Sequence, residues 1–146
     1  MNTIIAIWHS GGKGKSGTIL ALANLLLSQY PNPNVIHSSK DVNNLSVDFS
    51  LIIEINGKTI ALESLGDPNT GLEKRIDEIV KKHNPNLIFC TCRTRGETVH
   101  AVEKNTKKHN YDIIWTSTYQ VNQNHIRANQ IKAEHLLDLS VQLGLI

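Results

Sequence analysis

Ile4-Ile5-Ala6-Ile7-Trp8-His9-Ser10-Gly11-Gly12-Lys13-Gly14-Lys15-Ser16-Gly17-Thr18 opens with a short β-branched apolar run, the pattern of a buried strand. Glycines follow, and the stretch closes on Gly-Lys-Ser at the start of a helical pattern. Strand, glycine loop and helix in that order are the context of a phosphate-binding loop. Glycines let the backbone curl until successive N–H groups point at one anion. The helix that follows adds the positive end of its dipole. On this reading Ser10, Gly11, Gly12, Lys13, Gly14, Lys15, Ser16 and Gly17 bind the phosphates. Lys15 places a point charge on the β and γ phosphates, and the Ser16 hydroxyl holds Mg²⁺. The plainer alternative is a glycine-rich surface turn that happens to carry a lysine.

Outward from this stretch, strands and helices alternate. Thr18 to Tyr30 reads as a helix, with Ile19, Leu22, Ala23, Leu26 and Leu27 in one apolar stripe and Pro31 and Pro33 as its stop. Val35-Ile36 is a candidate short strand, and Ser38 to Asn44 reads as loop. Asn56-Gly57 between Leu51–Ile55 and Lys58–Glu63 is a strong hairpin signal. Thr70 to His83 predicts a helix with Leu72, Ile76, Ile79 and Val80 inward, and Leu87 to Cys92 a buried strand ended by Arg93-Thr94-Arg95-Gly96. Glu97 to His109 predicts a helix, Tyr111 to Thr116 a strand, and His125 to Leu143 an amphipathic helix through Ile126, Ile131, Leu136, Leu137 and Leu139.

This alternation predicts one α/β domain over 1–146, with a mostly parallel sheet, one antiparallel hairpin strand and helices on both faces. Ligands on such sheets bind at the carboxyl ends of the strands. Four polar segments fall there: the glycine loop, Glu63 to Asn69, Arg93 to Gly96, and Thr116 to Tyr119. The strand ending at Glu63 is the expected neighbour of the glycine-loop strand, with the one ending before Arg93 beyond it.

Composition narrows the function classes. A net charge of +2 with dispersed basic residues gives no nucleic-acid footprint. No apolar run is long enough to span a bilayer, and the N-terminus lacks a signal sequence, so a reducing cytoplasm is the expected setting. Two cysteines, Cys90 and Cys92, give neither a disulfide framework nor a full zinc site, and on alternate strand positions they read as small buried apolar groups.

The glycine stretch resembles the Walker A motif of the P-loop nucleoside triphosphatases. His9 stands where the general pattern has its first glycine. The Gly11-Gly12-Lys13-Gly14-Lys15-Ser16 core is similar to the deviant loop of the partition and septum-site ATPases, with Ser10 where those carry a signature lysine. Ala61-Leu62-Glu63-Ser64-Leu65-Gly66-Asp67-Pro68 occupies the place of the Walker B acid. It resembles the Ras-type switch, an acid, two free positions and a glycine after the second strand of a hairpin. The chain is also similar to small bacterial P-loop proteins with such a glycine loop and an acid-Ser-x-Gly-Asp-Pro stretch. The resemblance implies a three-layer P-loop fold and Mg²⁺-dependent binding, with hydrolysis, of a nucleoside triphosphate.

Within it, Glu63 holds Mg²⁺ or orients the attacking water, Asp67 is the second candidate acid, and Gly66 offers its N–H to the γ-phosphate. Arg93 and Arg95 are candidate arginine fingers, or hold an acceptor phosphate. The Asn-Lys-x-Asp signature of guanine recognition is absent, which makes ATP the expected nucleotide. Three functions stay open: an ATPase that switches a protein partner or a homodimer, a small-molecule or nucleotide kinase, and a nucleotide-binding module without turnover.

Overall fold

In the computed structural model, which describes residues 1–9 and 14–146, the apolar runs pair into one six-stranded sheet. The strands are β1 (Thr3–Trp8), β2 (Asn34–Ser38), β3 (Ser50–Ile55), β4 (Lys58–Glu63), β5 (Leu87–Cys92) and β6 (Asp112–Thr116). The helices are α1 (Lys15–Gln29), α2 (Leu72–His83), α3 (Glu97–His109) and α4 (His125–Gln142). The strand order is β2-β3-β4-β5-β1-β6. β4, β5, β1 and β6 pair in parallel, while β3 is antiparallel to both of its neighbours. The architecture is therefore α/β with a mostly parallel sheet and one reversed strand.

Period-2 alternation divides the core into two layers. Ile5 and Ile7 of β1 pack with Ile19, Leu22 and Leu26 of α1 and with Leu136 and Leu137 of α4. Ile4 and Ala6 face the other way, toward Ile76 and Val80 of α2 and Val102 of α3. Cys90 and Cys92 lie fully buried in that second layer, and burial pushes the Cys92 thiol up to about 12. The β3–β4 hairpin turns on Asn56 and Gly57, both with positive φ (53° and 77°), as a tight turn matched to the strand twist requires.

The structure sharpens some of the expected elements and departs from others. α1 begins at Lys15 instead of Thr18, because Gly14 sits in the left-handed region (φ 80°) as its N-cap. Val35 and Ile36 do belong to a strand, β2, but at the sheet edge, where both stay exposed across an irregularity in the β2–β3 register. Ile126 is 88% exposed; Ala128, Lys132, Ala133 and Ser140 join Leu136 and Leu137 on the buried face of α4. Most consequentially, β5 lies between β4 and β1, so the strand ending at Glu63 is not the direct neighbour of the glycine-loop strand.

Asp77 joins α2 to α3. Its carboxylate accepts from Lys81 Nζ (2.7 Å) on its own helix and from Lys108 Nζ (2.9 Å) and His109 Nε2 (2.7 Å) on α3. The hydrogen bonds from Lys81 and Lys108 hold this carboxyl well below the usual carboxylate range. A depressed folded-state pKa contributes stability that is complete above the ordinary value, about 4, and is lost as pH falls through the lowered one. Thermal melts should show Asp77→Asn less stable than wild type at pH 7, with the gap narrowing below about pH 4. An unchanged gap down to pH 2 would show that the charge of Asp77 does not support the α2–α3 contact.

Candidate functional site

Because β4, β5, β1 and β6 run the same way, their carboxyl ends share one edge. At that edge Gly14, Lys15, Ser16 and Gly17 from the start of α1 meet Gly66 and Asp67 from the segment after β4, and Thr91 of β5, around a cleft of about 160 Å³. Ser10, Gly11, Gly12 and Lys13 lie outside the described residues.

With β5 between β4 and β1, the segment after β4 reaches this cleft only by crossing the end of β5. Gly66 makes the crossing possible. A Cβ built there would stand 2.0 Å from the Thr91 carbonyl oxygen and 2.3 Å from its Oγ1, far inside contact distance. Two hydroxyls fix the crossing chain: Ser16 Oγ (3.0 Å) and Thr91 Oγ1 (2.9 Å) both donate to the Ser64 carbonyl oxygen. Ser64 is tied from behind as well, since its Oγ accepts from the Phe49 amide (2.7 Å) and its N–H donates to the Phe49 carbonyl (3.1 Å).

The floor of the cleft is positive. Lys15 is 7% exposed. Burial lowers its pKa, the nearby Arg93 guanidinium lowers it further, and Asp67 acts in the opposite sense. Arg93 donates to Asp67 Oδ1 through Nη2 (3.0 Å) and Nε (3.3 Å), and its own amide donates to Thr98 Oγ1 (2.8 Å) at the start of α3. Thr98 therefore acts as a backbone support at the end of β5. Lys15, Ser16, Gly66, Asp67 and Arg93 are thus brought together.

Glu63 is not among them. It shares its sheet face with Ala61, so its carboxylate points toward α2, where Oε2 accepts from Arg75 Nε (3.2 Å) and Oε1 from Ser50 Oγ. It lines a separate cavity of about 240 Å³ with Ser50, Arg75 and His83. Burial raises its pKa against the lowering effect of Ser50 and Arg75. The expected metal and water-orienting role of Glu63 is therefore corrected: the strand period turns its side chain to the face opposite α1. Arg95 is exposed, and neither arginine lines the cleft; Arg93 reaches it through its hydrogen bonds to Asp67, which does.

A further cavity, about 420 Å³, adjoins the Lys15 cleft through Gly14 and is lined by Tyr119, Gln120, Asn122, His125 and Asn129. Asn129 of α4 packs onto the glycines; a Cβ on Gly17 would meet its Nδ2 at 2.5 Å. Thr18 Oγ1 donates to the Gly14 carbonyl (2.9 Å) and lies 3.4 Å from Asn129 Oδ1. Lys132 Nζ donates to Thr116 Oγ1 (2.8 Å) and stands 4.9 Å from the Tyr119 ring centroid, which anchors the segment after β6. Thr91, Asn129, Lys132 and Arg75 are the participants that sequence reasoning missed. A polar Thr91 between two cysteines in an otherwise apolar strand was the available signal for the first. The others carry no local one.

Among the described residues, no group of three or more His, Cys, Asp or Glu could hold a metal ion by itself, and no helix is long and apolar enough to cross a membrane. Comparison with known proteins returns no match: no family model, no curated protein and no solved structure is significantly similar to the chain.

The crossing of β5 gives a sharp expectation. Gly66→Ala forces a methyl group into backbone that cannot step aside, and overpacking of this kind costs about 1–3 kcal/mol. Denaturant unfolding should show a loss in that range, whereas Gly71→Ala, with nothing within 4 Å but a positive φ of 76°, carries only the left-handed backbone penalty. A Gly66→Ala protein as stable as wild type would mean the chain crosses β5 by another path.

Proposed function

We propose that this protein binds a nucleoside triphosphate, with ATP the expected form, together with Mg²⁺ at the carboxyl edge of its sheet, and hydrolyses the terminal phosphoryl group. The observation that carries the reading is the convergence of Lys15, Ser16, Gly66 and Asp67 on one cleft at the N-terminus of α1. A helix N-terminus beside a desolvated ammonium is an anion site, because both fields are strengthened where water is excluded. The nucleoside portion fits the adjoining cavity beside Tyr119 and Asn129, on the far side of Gly14.

The donor set suits Mg²⁺, which takes one or two carboxylates with the remaining positions filled by phosphate oxygens and water. Ser16 Oγ and the Asp67 carboxylate are the groups that would hold it, in place of Glu63. When bound, the ion neutralises charge that develops on the phosphate oxygens.

The protein's own groups do the rest. Lys15 binds the β and γ phosphates, and an arriving anion restores the proton affinity that burial lowers. Gly66 offers its N–H. Arg93 is held by Asp67 in a pair whose side chains are 37% and 55% exposed. Exposed pairs contribute only about 0.2–1 kcal/mol. A hydrogen bond to a charged group contributes about 1.5–3 kcal/mol, so Arg93 can leave Asp67 for a phosphate oxygen at little cost. Hydrolysis on these parts fits a switch ATPase that acts on a protein partner or on a second copy of the chain.

Two measurements test the reading. Lys15→Ala should keep the wild-type far-UV spectrum and lose ATP affinity by at least about tenfold, the equivalent of one charge-assisted contact. Wild-type affinity in the folded variant would remove the phosphate site. In competition titrations ATP should displace a bound nucleotide at least as well as GTP. A strong GTP preference would mean that the segment from Thr116 to Tyr119 reads guanine.

A further inference from the structure

We infer that Arg75 is the positioning residue of the phosphate site, acting from the opposite face of the sheet through the turn over Ser64–Thr70. What the turn contributes to a ligand rests on the function proposed above. How the turn is held rests on geometry alone.

Three nitrogens of one guanidinium grip the turn along its whole length. Nε donates to Glu63 Oε2 (3.2 Å) immediately before it, Nη2 donates to the Leu65 carbonyl near its start, and Nη1 donates to the Thr70 carbonyl at its end. Between these points lie Gly66 and Asp67, the two residues that the turn sends into the cleft. A planar fork with fixed donor directions can satisfy three acceptors at once, which a lysine ammonium on a flexible stem cannot do with the same geometry.

Packing does not hold the far half of this turn. Ser64 and Gly66 are buried, but Asp67, Pro68 and Asn69 are exposed. The other ties there are the Thr70 hydroxyl donating to the Asp67 carbonyl (2.6 Å), the Arg93–Asp67 pair and the Asn69 amide donating to the Glu97 carboxylate (3.2 Å), all at exposed sites where such contacts are weak. Arg75 differs in its partner. Glu63 is 2% exposed and its burial disfavours the charged form, so removing Arg75 leaves a desolvated carboxylate with the Ser50 hydroxyl bonded to it and His37 across the same cavity. A buried pair of this kind adds little net stability over an apolar replacement. Its consequence here is directional: it orients α2's arginine so that the two remaining nitrogens meet the turn.

The inference is tested on the full chain with Arg75→Met, which keeps the apolar stem and removes every donor, and Arg75→Lys, which keeps the charge. Segment-resolved amide hydrogen exchange is read first. In Arg75→Met, residues 64–70 should exchange at least about tenfold faster while β4 and the core of α2 keep their protection, the signature of a local opening. ATP binding is read with and without Mg²⁺. The Mg²⁺-dependent gain in affinity, which needs Asp67 in place, should fall by roughly tenfold, and Mg²⁺-free binding, which leans on Lys15, should change little. Arg75→Lys should restore neither.

Exchange that accelerates evenly over the whole sheet, or not at all, overturns the inference. Full rescue by Arg75→Lys does the same, because charge alone would then suffice. Should Arg75→Met fail to fold, the same readings on Arg75→Lys decide it. If the wild-type chain binds no ATP while the turn still opens selectively, the nucleotide reading fails and the positioning role stands. If ATP binds, Lys15→Ala abolishes that binding and the Arg75 variants leave both the turn and the Mg²⁺ dependence unchanged, the positioning role fails alone.

Discussion

The carboxyl edge of the sheet depends on one backbone contact, the passage of Gly66 over Thr91. β5 separates the strand that carries the acidic turn from the strand that leads into the glycine loop. The turn therefore has to travel across a strand end, and no residue with a side chain can do so at this distance. Once across, its Ser64 carbonyl collects hydroxyls from both sides, Ser16 of α1 and Thr91 of β5. The hydrogen bonds are the result of the close approach. They could not form if the chain stood a methyl group further off.

Two carboxylates four positions apart meet opposite environments because of this path. Glu63 is still in the strand, and strand geometry turns it into a desolvated place behind the sheet. Asp67 has left the strand, is exposed, and shares its charge with Arg93 over the cleft. The first suits a fixed structural ion pair. The second suits exchange between a resting partner and an incoming one.

Local signals carried most of the fold. Asn56-Gly57 marked its hairpin because two consecutive positive φ values select those residue types. The stripes through Leu22 and Leu26 and through Ile76 and Val80 marked helices that bury those side chains. The order of the strands had no such marker, since adjacency of parallel strands is settled by crossovers that leave no pattern in either strand. That is why the acidic strand was expected beside β1. The misplacement of Glu63 is of another kind: its period-2 kinship with Ala61 was legible, but the family resemblance outweighed it. Arg75 and Asn129 were invisible for the same reason as the strand order, because their partners lie on other elements.

The place of β1 in the sheet also sets a sequence of events in assembly. Its residues lie near the start of this chain, yet Ile4 pairs with Ile88 and with Ile113. The β2–β3–β4 meander closes through near neighbours, whereas β1 has to wait for both of its partners. On a ribosome the meander is complete while Ile4, Ile5 and Ile7 still have no strand beside them. Contacts of such long sequence separation slow folding, and unpaired apolar strand edges invite association with other chains. The glycine loop follows β1 directly in the sequence, so the carboxyl edge of the sheet is among the last parts of the protein to come into being. A truncated or stalled chain carries an adhesive strand before it carries a site.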